Sequence, residues 1–354
     1  MESTRPASLA GIHTRAVLAY RLTDWQTAEL TDVPVPRPGP GQVLIKVGAA
    51  GLCGTDVKLM DAEAARSPFA PPYTLGHEIA GWVDRLGDGV DDLVPGEAVA
   101  VSAGSFCGSC ELCLTGQTNY CPGAASGRGF GSDGGLAEFV AVPRRHLFGI
   151  GTLSPAQAAP LTDAAVTAYH AVRHARPHIR PGSTAVVIGA GGLGGYGIQF
   201  LQLLTGASVI AIDVTPGRLE FAAELGAAHT FLAAEDNATT IRALTDGSGA
   251  DAVLDFVGTE SAVSTAMAAV RSPGAVLLVG GAGGAVPFGH TTLPRGVTIQ
   301  SPTGSTAGDL QDVLRLARAG QLRIEAEQFR LSDADRAYAA LREGRLRSRA
   351  VVIP

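Results

Sequence analysis

Thr184-Ala185-Val186-Val187-Ile188-Gly189-Ala190-Gly191-Gly192-Leu193-Gly194 is the stretch on which the fold turns. Five residues suited to a buried strand run straight into G-x-G-x-x-G, and an apolar stretch follows, which predicts strand, tight turn and helix in succession. Each glycine then has a task. Gly189 makes the turn, Gly191 admits a pyrophosphate against the backbone, and Gly194 packs helix on strand, while Gly192 and Leu193 open a helix whose N-terminus faces the phosphates. The next apolar run, Ser208 to Ile212, ends at Asp213, 19 residues beyond Gly194. A carboxylate there accepts hydrogen bonds from adenosine ribose hydroxyls and repels a 2′-phosphate, which favours NAD. Arg218 leaves two readings open: stacking on adenine in an NAD protein, or pairing with the extra phosphate of NADP.

Outward from this loop the pattern repeats. Helices are expected from Gly192 and from Pro216, and strands at Ala252 to Val257 and Ala275 to Val279, so from about residue 164 strand and helix alternate as in a doubly wound parallel sheet covered on both faces. Before that, short β-like runs (Val43 to Val47, Ile79 to Leu86, Ala98 to Val101, Leu136 to Val142) lie between Gly and Pro clusters, a β-rich style. After about residue 303 come a helix near Asp309 to Ala319, a strand-like Leu322 to Phe329, a helix from Ser332 and a strand Ala350 to Ile353. The expected division is 1–15 as a disordered extension, 16–163 with 303–354 as the β-rich domain, and 164–302 as the cofactor domain. Residues 181 to 212 contain no charged side chain, yet Pro181, Gly182 and the glycines from Gly189 to Gly197 break them up, so they do not read as a membrane span.

Composition fits a compact enzyme-sized chain. Of 354 residues 46% are hydrophobic and 17% charged, which excludes extended disorder, and 46 glycines predict many tight turns. A net charge of -6 offers no general basic surface, so neither nucleic acid nor an anionic membrane is an expected partner. Residues 1 to 15 lack the apolar core of an export signal, and a cytoplasmic protein is expected.

The cysteines carry chemistry. Cys107, Cys110, Cys113 and Cys121 form C-x2-C-x2-C-x7-C, in which four thiolates close the shell of a tetrahedral Zn²⁺ and leave no position for substrate. Two disulfides are the alternative, but disulfide frameworks usually serve small secreted domains. The remaining cysteine, Cys53, lies in Gly51-Leu52-Cys53-Gly54-Thr55-Asp56, upstream of Gly76-His77-Glu78, which suggests a second, open metal site. A metallopeptidase H-E-x-x-H would need His where Gly81 stands, and a non-catalytic zinc ribbon would leave the glycine loop, Asp213 and Cys53 without a role.

Taken together, these motifs and the closing Arg349-Ala350-Val351-Val352-Ile353 resemble the zinc-dependent medium-chain alcohol dehydrogenase family, over about residues 15 to 354. The resemblance implies an α/β chain with a β-rich GroES-like catalytic domain and a Rossmann cofactor domain, two zinc ions per chain, and NAD. It implies Asp163, where many members have Cys, as third ligand beside Cys53 and His77. Glu78 would approach the metal when water exchanges, and Asp56 would hold the His77 ring. Thr55 matches the hydroxyl that takes the alcohol proton, but Lys58 stands where many members continue the relay with His, so water or Lys58 completes it. Gly54 replaces a phosphate-touching side chain of some relatives, leaving Arg349 as the phosphate-binding arginine. Thr167, Gly280 and Gly281 match positions lining nicotinamide.

The segment 160 to 170 is most similar to bacterial NAD-dependent secondary-alcohol dehydrogenases, which implies a small secondary alcohol or ketone as substrate, with primary alcohols and aldehydes also within reach. Polyol or amino-alcohol enzymes of the sorbitol and threonine type are the near rival, and zinc-free quinone reductases fit least. Homodimers or homotetramers are implied. Ala103, Phe106 and Phe69 are candidate pocket positions.

Overall fold

The computed structural model describes residues 16–64, 67–123, 127–286 and 289–354. The disordered extension expected over 1–15 lies outside the described residues. Six strands lie side by side and parallel in the order His229–Leu232, Ser208–Asp213, Thr184–Ile188, Ala250–Asp255, Val270–Leu278, Thr298–Gln300. Counted along the chain within this sheet, the order is 3-2-1-4-5-6, the doubly wound arrangement, and its direction switches between Thr184–Ile188 and Ala250–Asp255. Ala185 to Ile188 are all buried because helices cover both faces, which is why the strand reads as an unbroken apolar run. The crevice at the switch point opens beyond Ile188 and Asp255.

A second sheet runs Ala326–Arg330, Arg349–Ile353, Gln42–Gly51, Glu78–Leu86, Ala98–Val101, Leu147–Gly149, with Phe139–Pro143 added on Gln42–Gly51. Strand Arg349–Ile353 lies one in from the edge: antiparallel to Gln42–Gly51, with Val351 opposite Gly51, and parallel to Ala326–Arg330. A three-stranded sheet of Thr27–Pro34, Ala16–Asp24 and Tyr73–Thr74 stands alongside. Helix Ala164–Ala175, with nine of its 12 residues buried, packs on helices Gly194–Thr205 and Ala307–Arg318. Its abundance of alanine lets the neighbours approach closely, and among the described residues no helix is long and apolar enough to cross a membrane.

Expected elements shift at their ends: the strand expected at Ala275 to Val279 begins at Val270, that at Ala252 to Val257 runs Ala250–Asp255, and the helix expected from Ser332 begins at Ala334. The helix expected from Gly192 starts at Gly194, because residues 191 to 193 form the turn. The strand expected from Leu136 starts at Phe139, since Leu136 is a fully buried loop residue whose N–H donates to the Leu75 carbonyl at 2.9 Å. The strand expected over Leu322 to Phe329 is confined to Ala326–Arg330, and Leu322 instead packs into the core with Leu310 and Leu314.

A Cβ on Gly194 would lie 1.8 Å from the Gly189 carbonyl oxygen, so helix and turn can meet only at a glycine. Gly194→Ala is expected to destabilise the fold by about 1–3 kcal/mol or more and to abolish dinucleotide binding. Gly217→Ala, in helix Pro216–Glu224 with nothing within 4 Å of the added carbon, is expected to stabilise by up to about 1 kcal/mol. Denaturant midpoints of the two variants, compared with the parent, check both signs.

Candidate metal centre and cofactor site

Helix Gly54–Asp61 begins just after Cys53, and this start fixes the thiol. Asp56, in the first turn and fully buried, accepts the Cys53 N–H through Oδ2 at 3.0 Å and meets Nδ1 of His77 through Oδ1 at 3.0 Å. One carboxylate thus sets both the turn and the imidazole, leaving His77 Nε2 to face Asp163 Oδ2 at 3.5 Å. The same oxygen lies 3.6 Å from Cys53 Sγ. Asp163 stands at the N-cap of helix Ala164–Ala175, but its side chain caps nothing; its Oδ1 accepts from Thr167 Oγ1 at 3.2 Å, and the other oxygen turns to the cluster.

Donor atoms of Cys53, His77, Glu78 and Asp163 all lie within 4.8 Å of one another. Burial would raise the Asp163 carboxyl, but a hydrogen bond and charge from His77 hold it down at about 2. Burial would likewise depress His77, yet the Asp56 charge and its hydrogen-bonding partners hold it well above the ordinary range. Burial pushes Glu78 up to about 8 despite the Arg349 guanidinium, and its Oε2 is buried with no hydrogen-bond partner. A thiol, an imidazole and two carboxylates converging, one carboxylate oxygen among them orphaned, fit a divalent cation.

The four-cysteine loop fits zinc by distance. Cys107 and Cys113 sulfurs are 3.9 Å apart and Cys110 and Cys121 sulfurs 3.8 Å, all four cysteines are free thiols, and their sulfurs lie within 4.8 Å of one another. A sulfur tetrahedron with Zn–S of about 2.3 Å has edges of about 3.8 Å, far longer than a disulfide bond of about 2 Å. The backbone amide of Ser109 donates to Cys107 and lowers its thiol to about 5, whereas burial, with the neighbouring sulfurs adding to it, pushes Cys113 up to about 11. Four sulfurs so close need a cation to be thiolates together.

Two of the pocket candidates separate. Phe69 stacks on Phe130 at 6.2 Å, and Phe130 in turn lies 4.5 Å from the His77 ring. Phe106 instead packs against His146 at 4.7 Å, beside the cysteine loop, and Ala103 is a buried neighbour of Gly127. Phe130 was not marked by sequence reasoning, since a phenylalanine between glycines carries no local signal of its partner.

On the cofactor side, Asp213 Oδ2 accepts the Ala190 N–H at 2.8 Å and Oδ1 the Thr215 N–H at 2.9 Å, so this carboxylate braces the glycine turn. Arg218 Nη1 lies 3.8 Å from Asp213 Oδ1, and a Cβ on Gly191 would lie 3.6 Å from the Arg218 Cζ. Gly280 lies against the backbone of Val257, and the Gly281 carbonyl accepts from Lys58 Nζ at 2.9 Å, a bond between the two halves of the chain. Arg349 joins the two sites. Its Nη2 donates to Glu78 Oε1, while a Cβ on Gly192 would lie 2.6 Å from its Cδ and 2.7 Å from its Nη1, so the guanidinium lies over the loop as well.

Residues 39–152 match the family model for the alcohol dehydrogenase GroES-like domain, and residues 192–319 that for zinc-binding dehydrogenases. An NAD-dependent alcohol dehydrogenase of Sulfurisphaera tokodaii is 35% identical, the match covering 92% of this chain and 96% of that one. The chain belongs to the zinc-dependent medium-chain alcohol dehydrogenase family. A D-arabinose 1-dehydrogenase (NADP(+)) of Saccharolobus solfataricus is 33% identical over 97% of this chain and 98% of its own. Among solved structures, acetophenone reductase from Geotrichum candidum in complex with NAD superposes with a TM-score of 0.87 at 29% identity, covering 97% of this chain and 99% of that one. The GroES-like and Rossmann halves, and zinc as the family's metal, follow for this dehydrogenase.

The two clusters are expected to hold one zinc ion each and to respond differently to mutation. Cys110→Ser should lower stability or yield, whereas Cys53→Ser should leave a folded, inactive protein with one zinc per chain. Elemental analysis of both variants alongside thermal melts checks this; fully active parent protein with a single zinc would contradict it.

Proposed function

We propose that this dehydrogenase interconverts secondary alcohols and ketones with NAD(H), with Cys53, His77 and Asp163 as ligands of a catalytic zinc and the four cysteines of the 107–121 loop as ligands of a structural one. The observation that carries the reading is the placement of Arg349, in contact with Glu78 of the metal cluster and with Gly192 of the dinucleotide loop at once. Zinc at the first cluster supplies Lewis acidity toward the substrate oxygen, and NAD the hydride acceptor.

The chain's own groups do the rest. Thr55 is exposed in the cleft with its hydroxyl 3.6 Å from Cys53 Sγ, where it can take the alcohol proton. Lys58, one helical turn on, is a donor to the Gly281 carbonyl, and an ammonium has no lone pair with which to accept a proton. That leaves water to complete the relay, and Lys58 orders the strand end that would line the nicotinamide. Thr167 steadies Asp163, and Arg349 Nε, buried without a partner, is the donor left for a cofactor phosphate. Phe130 and Phe69 make an aromatic wall beside His77, which suits apolar and aryl substituents better than a row of hydroxyls. Strand Thr298–Gln300 forms the end of the six-stranded sheet, an edge on which a second copy can add to form a homodimer or one pair of a homotetramer.

Replacing Asp163 with Asn should weaken zinc binding and cut kcat by orders of magnitude, because the lost charge lowers the electrostatic hold on the metal. Near-normal turnover and zinc content would remove Asp163 from the ligand set.

For the cofactor, a carboxylate about 4 Å from a phosphate charge costs on the order of 4 kcal/mol at an effective dielectric of about 20. Asp213 should therefore enforce NAD, Arg218→Ala should sharpen that preference, and Asp213→Ser should erode it. Wild-type kcat/KM values equal for NAD and NADP would show Arg218 prevailing.

Across a panel followed by NADH absorbance, 2-propanol-like and 1-phenylethanol-like alcohols should outperform sugars. A preference for aldoses or polyols would favour the second reading, which the arabinose dehydrogenase relative supports.

A further inference from the structure

Helix Ala164–Ala175 follows directly on Asp163, and its far end carries His170 and His174, four residues apart and so on one face. Their rings meet edge to face with centroids 4.7 Å apart. Each Nδ1 is engaged by an oxygen acceptor: His170 by Asp309 Oδ2 at 2.8 Å and His174 by Gln300 Oε1 at 3.0 Å. An imidazole that donates through Nδ1 presents the lone pair of Nε2, the arrangement in which a carboxylate or amide oxygen orients a metal-ligating histidine. Both rings line a cavity of about 330 Å³, whose opposite wall is the end of the cysteine loop, Thr115 to Tyr120.

That wall supplies an oxygen. Asn119 donates Nδ2 to the Thr303 carbonyl at 2.9 Å, and the same nitrogen lies 3.5 Å from His170 Nε2, a long contact that a metal ion at this nitrogen would replace, while Oδ1 is buried and accepts from nothing. Arg173 also lines the cavity, but its guanidinium is bonded to Asp309, so the two charges offset. We propose that His170 and His174, with the Asn119 amide oxygen, form a third metal site for a borderline transition ion such as Zn²⁺ or Ni²⁺, water filling the remaining positions. Nothing in the alcohol dehydrogenase reading calls on these residues. An ion there would tie together the central helix, the cysteine loop and the edge strand that carries Gln300.

The test uses holoenzyme with both resident zinc ions, titrated with Ni²⁺ against a chromophoric indicator. One further equivalent per chain is expected, with a rise in Tm at saturating metal, since binding to the folded state alone stabilises it. His174→Ala should lose the equivalent and the Tm rise while retaining two zincs and turnover; His170→Gln should do the same if it folds, and His174→Ala decides the matter if it does not. No third equivalent, or one that persists in His174→Ala, would overturn the site. Loss of the two resident zincs would instead bear on the catalytic reading, and zinc content is measured separately.

Discussion

The ion pair between Arg349 and Glu78 is the constraint around which the two halves of this dehydrogenase are organised. Both side chains are almost completely buried, and the guanidinium also lies over the backbone at Gly192. Removing one partner of a buried pair typically costs about 3–5 kcal/mol, because the other charge is left without compensation in a low-dielectric interior. Here the partner is also part of the metal cluster, so the same contact that closes the cleft between halves sets the charge balance next to Cys53, His77 and Asp163. Anything that draws the guanidinium toward a bound phosphate loosens its hold on Glu78, and the position of that carboxylate is therefore tied to cofactor occupancy.

Around this pair the chain is held together by close packing of a few small residues. Gly194 meets the Gly189 carbonyl, Gly280 meets Val257, and the alanine-rich helix that follows Asp163 slots between two others. Such contacts leave no room for relaxation, in keeping with the crystal-like density of protein interiors. Phe221 adds a softer junction: the guanidinium groups of Arg323 and Arg347 lie 5.0 and 4.5 Å from its ring centre, and both also pair with Glu224. The metal ligands need a rigid frame, whereas the cleft between halves must open for a dinucleotide; stiff glycine contacts within the cofactor half and stacked, half-exposed arginines at its border provide for both.

What could be read from the sequence was what is local in it. The glycine loop, the strand before it and the four cysteines each lie within about a dozen residues, so spacing alone carries their meaning. Long-range convergence left no such mark. Cys53 and Asp163 are 110 residues apart, Lys58 and Gly281 223 apart, and Glu78 and Arg349 271 apart. Asp163 entered as a ligand candidate only through family resemblance, and Phe130 against His77 did not enter at all. Strand limits failed where burial came from loops: Leu136 and Leu322 are apolar because they fill the core, and the pattern of apolar residues does not distinguish that from pairing in a sheet. The Arg349 pairing with Glu78 was missed for a related reason, since the resemblance gave that arginine one ligand and the structure gives it two neighbours.

The place of strand Arg349–Ile353 has a consequence for how the molecule is made. It lies inside its sheet, between Ala326–Arg330 and Gln42–Gly51, rather than at an edge. During synthesis the parallel sheet of residues 184 to 300 can complete itself as soon as it clears the ribosome, but in the sheet begun by Gln42–Gly51 the places beside Ala50 and Gly51 must wait for Val352 and Val351, some 300 positions later. Until then the Ala50–Gly51 end of that strand, beyond the stretch paired with Phe139–Pro143, is open to any passing strand, and the nascent chain carries its metal-binding thiols without the arginine that will lie beside them. Slow closure of this sheet makes the GroES-like half, and not the dinucleotide half, the part of the newborn protein that would most benefit from chaperone protection.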